Sequence, residues 1–160
     1  MFTFDFTYTI TDFVMFDLDY VILNLDGNKL AYIETRGLQK IQNGESFMNV
    51  DLKSARSTGS DVYRMIGYSR LEEGIYHYYF LTIEYKSGNF WLVKYELTPE
   101  AGAISKLTSE ILGSDPVDSI DIDDDYIVLG LSRAPDFGRI MIHEMDSLER
   151  VTVVEGDQAS

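Results

Sequence analysis

The chain has no cysteine, which excludes a disulfide framework and a thiolate metal site and fits a reducing compartment. It also has no apolar window near the roughly 18 residues that a membrane-crossing helix needs. Met1-Phe2-Thr3-Phe4-Asp5 shows no basic region followed by an apolar run, so no secretory leader is expected. These absences predict an intracellular, cytoplasmic protein without membrane contact. Positive charge is scarce: 13 Lys and Arg stand against 27 Asp and Glu, a net charge of −14. Phosphate backbones and anionic lipid are repelled by such a chain and basic partners are drawn to it, so direct nucleic-acid binding is disfavoured. The tilt is strongest between residues 113 and 160, where twelve acidic residues face three arginines. Nucleophile elbow, phosphate-binding glycine loop and His-Glu metal motif are all missing. The expectation is a non-enzyme with no catalytic residues, no cofactor and no metal.

What is present is apolar and aromatic. Hydrophobic residues make up 45% of the 160 and aromatic residues 13%, enough for one ordered domain over 1–160 that buries roughly 70% of its unfolded surface. The organising stretch is Ile120-Asp121-Ile122-Asp123-Asp124-Asp125-Tyr126-Ile127-Val128-Leu129-Gly130-Leu131-Ser132. An earlier stretch repeats it: Phe16-Asp17-Leu18-Asp19-Tyr20-Val21-Ile22-Leu23-Asn24-Leu25-Asp26. The match resumes with Leu30–Glu34 against Ile140–Glu144, then with Leu38–Ile41 against Leu148–Val151. Self-similarity of this kind implies one structural unit used more than once.

In chain order, Phe2, Phe4, Phe6, Tyr8 and Ile10 alternate with polar residues, the pattern of a half-buried strand, and residues 1–11 form an addition ahead of the first unit. Unit 1 (12–45) reads as strands Phe13–Leu18, Tyr20–Leu25, Lys29–Thr35 and Leu38–Gln42. Asp26-Gly27 supplies the hairpin, since both central residues of a type I′ turn need positive φ. Unit 2 (46–112) opens with a possible strand Phe47–Leu52 and a polar loop, Lys53–Ser60. Strands Val62–Arg70, Ile75–Lys86 and Phe90–Thr98 follow. Ile75–Ile83 is apolar or aromatic on both faces, as in a covered central strand. Ala103–Leu112 has helical spacing at Ile104, Leu107 and Ile111, yet the repeat places a strand there. Unit 3 (113–155) reads as Val117–Ile122, Tyr126–Ser132, Arg139–Met145 and Leu148–Val154, and 156–160 as a frayed tail. Gly27, Gly37, Gly44, Gly88 and Gly138 are all read as turn residues. The fold class expected is all-β: antiparallel four-stranded meander repeats, about three of them, with a closed barrel or a two-sheet sandwich as the alternative.

Gly138–Val151, with its glycine, alternating strand, polar turn and further strand, resembles the outer half of a β-propeller blade of WD40-like type. Val117–Ser132 resembles the inner two strands. His143-Glu144 and Ile33-Glu34 stand where a Trp-Asp pair would be. The resemblance implies propeller-like blades whose apolar faces need neighbours, and three blades do not close a ring. It also implies that the extra N-terminal strand could close the structure beside Leu148–Val154 or on a partner subunit.

Three groups could carry chemistry. Asp121, Asp123 and Asp125 have the spacing of a calcium loop, but Tyr126 replaces the bend glycine and Ser132 the bidentate Glu, so a solvated turn is expected. His77 and His143 lie inside strands, where a packed imidazole is the ordinary outcome, and acid-base pairing with Glu84 or Glu144 depends on geometry. The aromatic residues, Trp91 included, are expected in the core between sheets. The function expected is a non-enzymatic protein-protein interaction or assembly module, homo-oligomeric or with a protein partner. The alternative is an acidic mimic of nucleic acid that blocks a basic DNA- or RNA-binding protein.

Overall fold

A computed structural model describes residues 8–17, 19–35, 52–133 and 137–157. Among the described residues twelve strands form three separate four-stranded antiparallel sheets, each a simple meander. Sheet 1 holds β1 (Ile10–Phe16), β2 (Tyr20–Leu25), β3 (Lys29–Glu34) and β4 (Lys53–Ser57). Sheet 2 holds β5 (Asp61–Glu72), β6 (Ile75–Lys86), β7 (Asn89–Thr98) and β8 (Ala103–Gly113). Sheet 3 holds β9 (Val117–Asp123), β10 (Tyr126–Arg133), β11 (Phe137–Glu144) and β12 (Arg150–Asp157). No sheet closes on itself, so a closed barrel is overturned, and the only helical turn among the described residues is the 3-10 segment Pro99–Ala101. The tight hairpins follow from local chemistry: Asp26-Gly27, Glu73-Gly74 and Ser87-Gly88 all take positive φ at both residues, the geometry whose twist matches that of the flanking strands.

The sequence repeat is a repeat of pairing register. Tyr20 lies opposite Glu34 and Tyr126 opposite Glu144. Val21 faces Ile33 as Ile127 faces His143, Ile22 faces Tyr32 as Val128 faces Ile142, and Asn24 faces Leu30 as Gly130 faces Ile140. A one-residue slip would have turned every side chain to the other face, so the match fixes which faces correspond.

Several elements differ from expectation. Lys53–Ser57, expected as loop, is the fourth strand of sheet 1, so that sheet reaches past residue 45. Lys53 Nζ is held there by Glu34 at 2.8 Å, and Arg56 donates to the Ile104 carbonyl at 2.9 Å, so polar side chains fasten this edge strand. The expected strand Leu38–Gln42 and most of Phe47–Leu52 lie outside the described residues, as does most of Phe2–Ile10; Leu52 itself is not in a strand. Thr9 and Ile10 sit beside β2 rather than β12: Asp26 N donates to Thr9 O at 2.8 Å, and Ile10 pairs with Leu25. Ala103–Leu112 is a strand. Gly138 lies inside β11 rather than in a turn, and β12 extends through 156–157. β6 is doubly covered only from Phe80 to Glu84, because the β5–β6 hairpin overshoots β7 and leaves Leu71, Ile75 and Tyr76 exposed.

Two cores lie between the sheets. Ile22, Leu30 and Tyr32 of sheet 1 pack on Phe80, Val93, Tyr95, Leu97 and Ile104 of sheet 2. Leu81, Ile83, Phe90 and Leu92, on the other face of sheet 2, pack on Ile127, Leu129, Leu131 and Met141 of sheet 3. By register, the face that sheet 1 turns to sheet 2 corresponds to Val128, Ile140 and Ile142, which face away from sheet 2. The face that sheet 3 turns to sheet 2 corresponds to Val21, Leu23 and Ala31, a third buried cluster on the far side of sheet 1, where Tyr8 and Leu52 pack. The stack is therefore polar, head to tail, and its head is the open face of sheet 3. Full burial of each such aliphatic side chain is worth about 1.5–3 kcal/mol, and sheet 3 forgoes it on one side.

Candidate interaction face

On the open face of sheet 3, β10 contributes Tyr126 and Val128, β11 contributes Ile140 and Ile142, and β12 contributes Thr152 and Val154. Cross-strand pairs Val128 with Ile142 and Ile140 with Val154 make it continuous. Tyr126, Ile140 and Val154 are exposed large apolar side chains. Gly130 sits among them because a Cβ there would collide with Ser119 Oγ. Asp121 lies opposite Val128 and Asp123 opposite Tyr126, so carboxylates border the patch along β9, and the exposed Glu144 borders it at the end of β11.

The inner seam between sheets 2 and 3 is held by Lys94, a cation flanked in β7 by the buried Val93 and Tyr95. It is buried, its ammonium stands 4.7 Å from the Tyr79 ring centroid and 5.7 Å from that of Tyr68, and it donates to Met145 O at 3.2 Å. Burial lowers its pKa, against which Asp146 works. Burial likewise raises the pKa of the Tyr68 hydroxyl, whose oxygen has no hydrogen-bond partner among the described residues. Arg70 closes the seam from the β5–β6 hairpin with contacts to Asp146 at 2.8 Å and to the Asp124 carbonyl at 3.3 Å.

The aspartates of the calcium-like spacing do not converge. Asp121 Oδ1 accepts from the adjacent Ile122 N at 2.9 Å, and Asp125 lies 4.0 Å from Arg70. Among the described residues no group of three or more His, Asp or Glu is placed to hold a metal ion. Neither histidine meets Glu84 or Glu144. His77 is not packed in the core: it is half-buried, stacked on Tyr79, with Nδ1 3.2 Å from Glu96 and Nε2 3.7 Å from Glu72. His143 is fully buried. Its Nδ1 is 2.8 Å from Leu148 O, to which it donates, and burial lowers its pKa. Glu144 Oε2 instead takes the Ser147 hydroxyl at 2.9 Å.

Glu84, considered from the sequence only as an acid-base partner for a histidine, is a buried carboxylate. Its Oε2 accepts from Thr82 Oγ1 at 2.5 Å and from the Tyr95 hydroxyl at 2.7 Å. Burial and then the Glu84 charge raise the Tyr95 hydroxyl above its ordinary range. The signal for both Glu84 and Lys94 was a charge set directly among apolar residues of a strand, Ile83-Glu84-Tyr85 and Val93-Lys94-Tyr95. No protein-family model matches this sequence, and comparison with curated proteins finds no match.

Proposed function

We propose that the chain is a non-enzymatic interaction module of blade-like repeats, and that the open face of sheet 3 docks a β-sheet of a basic partner. The observation that carries this reading is the mismatch between equivalent faces: Ile22, Leu30 and Tyr32 are buried against sheet 2, while among the described residues no sheet packs on Val128, Ile140 and Ile142. A face that fits its counterpart would be aliphatic and aromatic, as sheet 2 is where it meets sheet 1. Asp121, Asp123 and Glu144 along the border call for Lys or Arg on the partner's rim, and a net charge of −14 steers such a partner in. A second copy of this chain fits less well, because it brings the same acidic border, and the far face of its sheet 1 is already covered. The blade reading is supported by how the sheets stack: β1 touches β5 and β5 touches β9, with first strands adjacent to first strands.

The test is photo-crosslinking in the source cell through an unnatural residue at position 140 or 154, with position 61 as an exposed control. The expected result is an adduct to a different polypeptide, through a segment rich in Lys and Arg, that Val128→Lys abolishes and added salt weakens. Adducts to the chain's own copy, adducts equal to those of the control, or none at all would overturn the reading.

A further inference from the structure

A cleft of about 220 Å³ opens on the face of sheet 2 that meets sheet 1, lined by Thr58, Ser60, Glu84, Lys86, Trp91, Val93, Lys106 and Ser109. A second cleft of about 320 Å³ adjoins it and shares Ser60 and Lys86. The first is smaller than the roughly 300–1,000 Å³ of drug-sized sites, so its occupant is about one ring in size.

Its polar groups are not those of a packing defect. Glu84 is 3% exposed and, among the described residues, has no cation in hydrogen-bond contact, an arrangement that costs stability unless donors surround it. Its two donors among the described residues, Thr82 and Tyr95, sit on Oε2, which leaves Oε1 free of them. Trp91 lies directly across the strand pair from Glu84, and among the described residues its buried Nε1–H has no hydrogen-bond partner. A carboxylate and an indole side chain thus line one small cleft. The exposed Lys86 and Lys106 add two positive charges there, in a chain with only 13 basic residues.

We infer that this cleft binds a small hydroxylated anion, a single sugar-sized ring bearing one carboxylate or phosphate group. The anionic group pairs with Lys86 and Lys106. A ring hydroxyl donates to Glu84, which repels the anionic end and so sets the ligand's direction, and the ring lies beside the Trp91 side chain that lines the cleft. The inference stands on the cleft alone and is independent of the face on sheet 3.

Trp91 is the sole tryptophan, so its fluorescence reports on the cleft. The protein is titrated with glucuronate and glucose 6-phosphate, and with glucose and inorganic phosphate as partial ligands. A saturable change with submillimolar midpoint is expected for at least one of the first pair, at least about tenfold weaker for both partial ligands. Lys86→Ala/Lys106→Ala, which alters only exposed side chains, weakens it by about tenfold or more, and Glu84→Gln weakens it while Thr82 and Tyr95 still hold the side chain. No saturable change up to about 10 mM would overturn the inference. So would glucose or phosphate binding as tightly as the combined ligand, or a lysine variant that binds unchanged.

Discussion

Leu30 and Ile140 hold the same place in two copies of one unit, Leu30 opposite Asn24 and Ile140 opposite Gly130, yet Leu30 is 0% exposed and Ile140 is 45% exposed. The same side-chain truncation should therefore have two outcomes. Leu30→Ala is expected to cost about 2–5 kcal/mol, the range for an aliphatic residue deleted from a packed core. Ile140→Ala is expected to cost less than about 1 kcal/mol. Urea unfolding of both variants checks this, and equal losses would mean that the face of sheet 3 is covered within the single chain.

The approach of sheet 1 to sheet 2 is set at Gly67, where an added Cβ would collide with Val14 Cγ1 and lie 3.0 Å from the Phe16 ring. Both obstacles are buried and cannot swing away. Gly67→Ala is expected to destabilise by about 1–3 kcal/mol through overpacking. Gly138→Ala, with no atom within 4 Å of the new methyl, should fall within about 0.5 kcal/mol of wild type. Thermal unfolding midpoints of the pair separate a steric cause from a general effect of replacing glycine in a strand.

Much of the architecture was legible because alternation and turn chemistry act locally. Ile75–Lys86 is bounded by Glu73-Gly74 and Ser87-Gly88, two turns whose left-handed geometry the residues themselves favour, and its ends coincide with β6. Lys53–Ser57 was not legible as a strand. Its residues are polar and small, and it is held by partners distant in sequence, Glu34 and Ile104, rather than by its own pattern. The same applies to His77: its neighbours Ile75 and Tyr79 read as a core face, but the hairpin overshoots the sheet, so the imidazole meets Glu72 and Glu96 instead. The candidate face on sheet 3 emerged only when the repeat was combined with burial, since its alternation is that of any half-covered strand.

Tyr95→Phe should expose how Glu84 is tolerated in the core. Removing one of two donors to a buried carboxylate is expected to cost about 1–3 kcal/mol near neutral pH. A pH signature accompanies it. Burial, with Glu84 beside it, raises the Tyr95 hydroxyl above its ordinary 10.0, so the unfolded chain releases this proton first and gains on the folded state as pH climbs past 10.0. The stability that Tyr95 contributes is present below that point and lost above it. Urea midpoints taken between about pH 8 and 11 should fall less steeply for Tyr95→Phe than for wild type.

His143 gives the acid-side counterpart. Its ring is fully buried, donates to Leu148 O, and has a pKa lowered from 6.5 by burial, with Arg150 also disfavouring its charged form while Leu148 O and Glu110 oppose the shift. Between the lowered folded value and 6.5 the unfolded chain binds the extra proton, so stability is present above 6.5 and declines as pH falls below it. His143→Asn retains an amide donor for Leu148 but does not titrate. The variant is expected to lose stability at about pH 7.5, from the smaller side chain, and to lose less than wild type when moved to about pH 5.5. Parallel urea midpoints for both proteins across that interval would show instead that His143 takes up its proton equally in the folded and unfolded chain.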